Sequence, residues 1–118
     1  MVKSFRDLHV YQRSYQASLE IHKISLTFPR FEEHELGRQI RRSTKSIAMN
    51  IAEGYGKRSS TAEFKRFIAM AIGSCDEIKS QLDYCRDLGY INQEQYRKNA
   101  AEYDEIGKML CQLYLKWQ

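Results

Sequence analysis

Apolar residues recur at three- and four-residue steps through nearly the whole chain, a period that belongs to amphipathic helices rather than strands. Four such stretches predict four helices. In the first, from about residue 7 to 28, Leu8, Tyr11, Tyr15, Leu19, His22 and Leu26 form one stripe, and Val10, Ala17, Ile21, Ile24 and Phe28 lie beside it. That sector is wide, so the helix touches more than one neighbour. Pro29 ends it, because a residue without an N–H and with a fixed φ does not suit a helix interior. Phe5 is placed to fold back as a hydrophobic anchor.

The second helix, about 33 to 55, opens on Glu32, Glu33 and Glu35, whose charge complements a helix N-terminus. At about 100° per residue, Ile40, Ile47 and Ile51 fall within about 40° of one another and Arg38, Arg41, Arg42 and Lys45 gather opposite. Between them runs a small polar strip, Gln39, Ser43, Ser46 and Asn50, suited to close approach by another helix or to hydrogen bonds across an interface. Gly54 to Gly56 are expected to stop the helix with a left-handed cap. Ser60-Thr61-Ala62-Glu63 has the form of a capping box and starts a third helix, about 60 to 88. Phe64, Phe67, Ile68, Ala71, Ile72, Cys75, Ile78, Leu82 and Cys85 carry its apolar face, and Gly89 is placed to cap it. Asn92 with Gln95 predicts the next N-cap, and Tyr96, Ala100, Tyr103, Ile106, Leu110, Leu113 and Trp117 mark a fourth helix, about 92 to 116. Helices of this length with short connections predict one all-α domain over residues 1–118, an antiparallel up-down-up-down four-helix bundle.

Composition narrows the function classes. A chain of 118 residues can bury a sufficient core without staples, and eight tyrosines with five phenylalanines exclude a disordered polar chain. Cys75, Cys85 and Cys111 are odd in number and form no CxxC pair, so buried reduced thiols in the cytoplasm are expected. The opening MVKSFRDL lacks the apolar run of a secretory signal. The longest uncharged apolar run, Phe67 to Cys75, is about half the roughly 20 residues of a membrane span.

Charge is concentrated. Residues 38 to 66 hold eight cations, Arg38, Arg41, Arg42, Lys45, Lys57, Arg58, Lys65 and Arg66, against Glu53 and Glu63, a net of +6, while the rest of the chain nets −2. A local excess favours an anionic partner. Arg38, Arg41, Arg42 and Lys45 can present guanidinium forks and an ammonium to the phosphate backbone of RNA or DNA. The alternative is ion pairing with acidic residues of a neighbouring helix or subunit. Lys57, Arg58, Ser59, Ser60 and Thr61 are a second candidate, in which helix-start N–H groups, hydroxyls and cations converge on a phosphate, with Lys65 and Arg66 a turn further on; here the alternative is a capped, solvated loop. Arg41 and Lys57 lie 16 positions apart, about 24 Å at 1.5 Å per residue, so one copy carries two patches and a ring of copies would carry two bands.

Catalytic chemistry finds no foothold. His9, His22 and His34 are dispersed, and no H-E-x-x-H, Glu-x-x-His pair or phosphate-binding glycine loop occurs. His22 reads as a hydrogen-bonded packing residue, and Tyr55, Tyr84, Tyr90, Tyr96 and Tyr103 read as core or interface rather than a base-stacking platform. No enzyme, metal or cofactor is expected, and any nucleic-acid binding would be driven by shape and charge.

The segments FRDLHVYQRS, the FP after the first helix, QIRRSTKSIAMNIAEG, RSSTAEFKRFIAMAIGSCDEIKSQL and LGYI together resemble the four-helix-bundle family of intervening-sequence proteins, often called S23-like and first associated with insertions in bacterial 23S ribosomal RNA genes. The resemblance covers nearly the whole chain. It implies a cytoplasmic bacterial bundle assembled into a ring, as a homopentamer. A related bundle, the accessory variability determinant of diversity-generating retroelements, implies in addition a nucleic-acid role beside a reverse transcriptase or a ribosomal partner. Where many members carry proline, this chain has Ala48, which should leave the second helix straighter with the same core pattern.

Overall fold

The computed structural model describes residues 1–118 and contains four long helices: α1 (His9–Ser25), α2 (Leu36–Gly56), α3 (Thr61–Asp87) and α4 (Gln93–Lys116). Single 3-10 turns cover Phe5–Asp7 and Arg30–Glu32. Helix α1 packs on α2 and α4, and α3 packs on the same two, while the backbones of neither diagonal pair approach each other. This is an all-α antiparallel four-helix bundle. Its long dimension is 44 Å, close to the roughly 40 Å that the 27 residues of α3 span at about 1.5 Å each.

Each helix sends an apolar stripe inward, in α1 the set of Val10, Ala17, Ile21 and Ile24, while Tyr15, Leu19 and Leu26 of its other expected stripe stay exposed. Ile21, Ile40, Ile47, Ile51, Phe64, Ile68, Ile78, Leu82, Ile106 and Leu110 are almost wholly buried in one continuous core. One polar link crosses it: the Thr44 hydroxyl of α2 and the Tyr103 phenol of α4, both without solvent exposure, are hydrogen-bonded across the diagonal. Tyr103 also has its backbone carbonyl bonded by the Cys75 thiol at 3.2 Å.

The connections show why the elements start and stop where they do. Asp7 stands in the first 3-10 turn instead of opening α1; its carboxylate accepts the N–H groups of Lys3 and Ser4 at 2.8 and 3.1 Å, which holds its pKa below the usual carboxylate value. Helix α1 stops at Ser25 because Leu26, Thr27 and Phe28 turn to three-residue hydrogen bonds before Pro29. Helix α2 starts at Leu36. Glu32 is not an exposed first-turn charge but is buried, and its carboxylate accepts the Leu36 N–H at 3.3 Å and the Tyr90 hydroxyl at 2.7 Å. Tyr90 stacks obliquely on Phe28 with ring centroids 5.4 Å apart, so the α1–α2 and α3–α4 connections are tied together at one end of the bundle.

Glycine acts differently at the two ends of α3. At its C-terminus Gly89 has φ +78°, with Gly89 N–H bonded to Arg86 C=O and Tyr90 N–H to Cys85 C=O, the paired bonds of a Schellman motif. The left-handed cap expected at Gly54 to Gly56 is absent, since Gly89 alone has positive φ and α2 runs through Gly56. Gly54 is needed for proximity: a Cβ there would stand 3.0 Å from the Phe67 Cβ and 3.4 Å from the Phe64 carbonyl oxygen of α3. At the start of α3, Ser60 Oγ accepts the Glu63 N–H at 3.2 Å, but the Glu63 carboxylate turns to Arg66, so half of the capping box forms. Asn92 and Gln95 form both halves, at 2.7 and 2.9 Å.

Candidate functional site

The cationic face of α2 divides between its two neighbours. Arg41 and Lys45 lean toward α1. Arg41 donates to Ser25 Oγ at 3.1 Å and to the Glu33 carbonyl at 2.9 Å, which latches the α1–α2 connection to α2. Lys45 Nζ donates to His22 Nδ1 at 3.0 Å. Partial burial, with the nearby charges of Lys45 and Arg41 as smaller contributions, lowers the His22 pKa, so His22 is a neutral acceptor in a packed contact.

Arg38 and Arg42, one turn apart, are exposed and make no hydrogen bond or ion pair within the chain. Arg42 lies at the mouth of a cleft of about 310 Å³ between α2 and α3, lined by Gln39, Arg42, Ser43, Ser46, Ser74 and Glu77 with no apolar side chain. The small polar strip of α2 therefore faces this chain's own α3: Ser46 Oγ and Ser74 Oγ are 2.9 Å apart, and Gln81 Nε2 donates to Ser43 Oγ at 3.2 Å. Ser74, Glu77 and Gln81 escaped the sequence reading. Their spacing of three and four places them on one side of α3, and that polar periodicity, mirroring the strip of α2, was the available signal.

The second candidate patch does not converge on a point. Lys57 Nζ is 3.9 Å from Glu53 and 5.1 Å from the Phe67 ring centroid. Arg58 folds back over Tyr55, 4.0 Å from its ring centroid, and donates to the Tyr55 carbonyl at 2.9 Å. Lys65 stands 5.1 Å over Tyr114 of α4. Arg66 bonds Glu63 at 2.9 and 3.3 Å and lies 4.5 Å over Phe67, and this pairing lowers the Glu63 pKa. Ser60 Oγ is occupied by its own helix. These four cations are spread around the end of the bundle, each against an aromatic ring.

The chain's remaining chemistry is structural. Tyr55 and Tyr103 are buried, Tyr90 and Tyr96 bond Glu32 and Asp83, and Tyr84 is exposed. Burial pushes the thiols of Cys75 and Cys85 up to about 11 and about 12, whereas Cys111, expected to be buried, is exposed because it sits on the outer side of α4. His, Cys, Asp and Glu side chains form no group of three that could hold a metal ion. No helix is long and apolar enough to cross a membrane.

The family model described as 23S rRNA-intervening sequence protein matches residues 6–112, which hold α1, α2, α3, the loops between the helices and most of α4. The chain belongs to this family. A solved structure similar to this 23S rRNA-intervening sequence family member is that of a protein with unknown function from the S23 ribosomal protein family of Bacteroides thetaiotaomicron. It is 25% identical, covers 91% of this chain and 96% of its own, and superposes with a TM-score of 0.83. Among curated proteins nothing matches. The residues quoted above for the resemblance, from Phe5 to Ile91, fall almost wholly within the matched region, and the α2 of this chain continues unbroken through Ala48.

Proposed function

We propose that this intervening-sequence protein is a non-enzymatic cytoplasmic accessory protein that binds the phosphate backbone of RNA or DNA, with Arg38 and Arg42 as its primary contacts. One observation carries the reading. Of the four cations that α2 gathers on one face, Arg41 and Lys45 are committed to α1, and Arg38 and Arg42 are exposed one turn apart without a hydrogen bond or ion pair within the chain. Unpaired guanidinium groups at that spacing suit two phosphates of one strand. The loop cations Lys57, Arg58, Lys65 and Arg66 are partly engaged and add attraction at longer range. The family description, which refers to 23S rRNA, makes a structured ribosomal RNA the natural probe.

We further propose that copies of the chain assemble into a ring. The groove between α1 and α2, about 390 Å³ and lined by Phe5, Tyr11, Tyr15, Leu19 and Met49 among others, supports this reading, since Tyr15, Leu19 and Met49 are 46%, 41% and 68% exposed. The same groove favours the second reading, a protein-interaction module whose charge serves assembly.

Fluorescence anisotropy of labelled RNA and DNA duplexes against salt separates the two. For backbone binding, Arg38→Glu/Arg42→Glu should weaken affinity and reduce the slope of log K against log salt by about 1.4 to 1.8, the share of two phosphate contacts. Equal binding by the variant, or no binding by the wild type at low salt, overturns the proposal.

A further inference from the structure

We infer that the seam between α1 and α2 is a proton-linked phosphate site. Protonation of His22 releases Lys45 to the row of Arg38 and Arg42, so that the chain takes up a proton as it binds nucleic acid and binds more tightly as pH falls; the inference rests on the backbone-binding reading and adds its regulation. The seam is a square of four polar side chains. Helices α1 and α2 run antiparallel, so His22 stands opposite Lys45 and Ser25 opposite Arg41, with hydrogen bonds across at 3.0 and 3.1 Å. Both cations are held by neutral acceptors only, since the remaining partner of Arg41 is the Glu33 carbonyl. His22, Arg41 and Lys45 are half-buried and within reach of solvent.

The nearby carboxylates are engaged elsewhere. Glu20 of α1 and Glu102 of α4 pair with Lys98 and Arg13 between those two helices. Asp7 accepts the N–H groups of Lys3 and Ser4, Glu32 is bonded to Tyr90, and the Glu33 carboxylate lies 3.9 Å from His34. The charged groups that act on His22 are Lys45 and Arg41 of α2, both positive. Burial first, and then these two charges, hold its pKa below the ordinary histidine value, so the neutral ring is the form present at pH 7.

The bond between Lys45 and His22 exists in one protonation state only. An ammonium has donors and no acceptor, and Nδ1 accepts only while it carries no proton. Once the imidazole is protonated, two like-charged donors face each other at the 3.0 Å of the present contact, and the flexible stem of Lys45 gives way. Lys45 follows Arg38 and Arg42 at steps of four and three, so the released ammonium extends their row on α2 to three cations over about 10 Å. A phosphate seated there neutralises Lys45 and Arg41 and so removes the repulsion that opposes protonation of His22. The coupling is mutual: whatever the phosphate contributes to proton binding, the proton contributes to phosphate binding.

The test is fluorescence anisotropy of a labelled RNA duplex with the full chain, from about pH 8 to about pH 5.5 at constant ionic strength. Wild-type affinity should be level at the alkaline end and rise below the ordinary histidine value of about 6.5, by up to about tenfold per pH unit, the limit for one proton. The slope of log K against log salt should steepen over the same range by about 0.7 to 0.9, the share of one added phosphate. His22→Gln, whose amide oxygen can accept from Lys45 but takes up no proton, should lose the rise, with helix content checked by circular dichroism. Lys45→Gln should lose the steeper salt slope. In NMR spectra the His22 ring should titrate at higher pH with RNA bound than without it. Wild-type affinity that is independent of pH overturns the inference and leaves backbone binding standing. A rise that persists in His22→Gln overturns it too, because its source is then His9, His34 or the RNA. No binding at any pH at low salt removes the backbone reading itself, and this inference with it.

Discussion

The Thr44–Tyr103 bond allows a sharp test of how the core fixes the face that α2 shows to solvent. Both side chains have 0% exposure, and they join two helices whose backbones do not approach each other. Thr44→Val keeps the shape and strands the Tyr103 hydroxyl among apolar side chains, at a cost of about 2 to 3 kcal/mol. Tyr103→Phe leaves the Thr44 hydroxyl, which can turn back to the Ile40 carbonyl four residues earlier, so about 1 kcal/mol is expected. The double variant has no unpartnered polar atom and should lose about 1 kcal/mol or less, against the roughly 3 to 4 of a simple sum. The coupling is therefore about 2 to 3 kcal/mol. For a 118-residue chain, an unfolding entropy near 2.1 cal/mol/K per residue makes this roughly 8 to 12 °C in Tm. Urea and thermal unfolding of the four proteins measure it. A double variant as unstable as the sum of the singles would refute the assignment, because it would mean that the two hydroxyls do not depend on each other.

Two further outcomes follow from named contacts. Gly54→Ala should destabilise by about 1 kcal/mol, since overpacking against the Phe67 Cβ at 3.0 Å outweighs the helix-propensity gain, whereas Gly73→Ala, with nothing within 4 Å, should stabilise by up to about 1 kcal/mol; chemical denaturation gives both signs. The depressed pKa of His22 means that the unfolded chain takes up its proton more readily, so stability should be full above about pH 6.5, the ordinary histidine value, and fall as pH drops toward the lower folded value. In His22→Gln the slope of stability against pH through that window should flatten, and an unchanged slope would place its origin in another group.

The bundle and much of its punctuation were legible in the sequence because helical periodicity and capping are local, although Gly54 to Gly56 supply no left-handed cap and Ser60 with Glu63 closes only half of its box. Ile40, Ile47 and Ile51 point inward as their spacing requires, Asn92 and Gln95 close their box, and Gly89 takes the positive φ that its place after α3 demands. What lies on either side of a helix is not local. An angular reading puts Arg38, Arg41, Arg42 and Lys45 on one face of α2, but whether a cation stays free depends on the side chain that the adjacent helix brings to it. Ser25 and His22 of α1 engage Arg41 and Lys45, and no counterpart on α3 reaches Arg38 or Arg42.

The same reason decided the strip of Gln39, Ser43, Ser46 and Asn50. Its composition allowed a contact with another copy or with the chain itself, and the α2–α3 pairing selected the latter by bringing Ser74 and Gln81 opposite. Glu32 is the converse case, an acid at a helix start that becomes buried because the α3–α4 connection supplies Tyr90 as its partner. Sequence alone determined which residues share a face, since the backbone period fixes direction around a helix axis. The tertiary structure decided which of those faces is neutralised, which is left open and where a cleft remains, since these depend on groups distant in the chain that meet only when the helices pack.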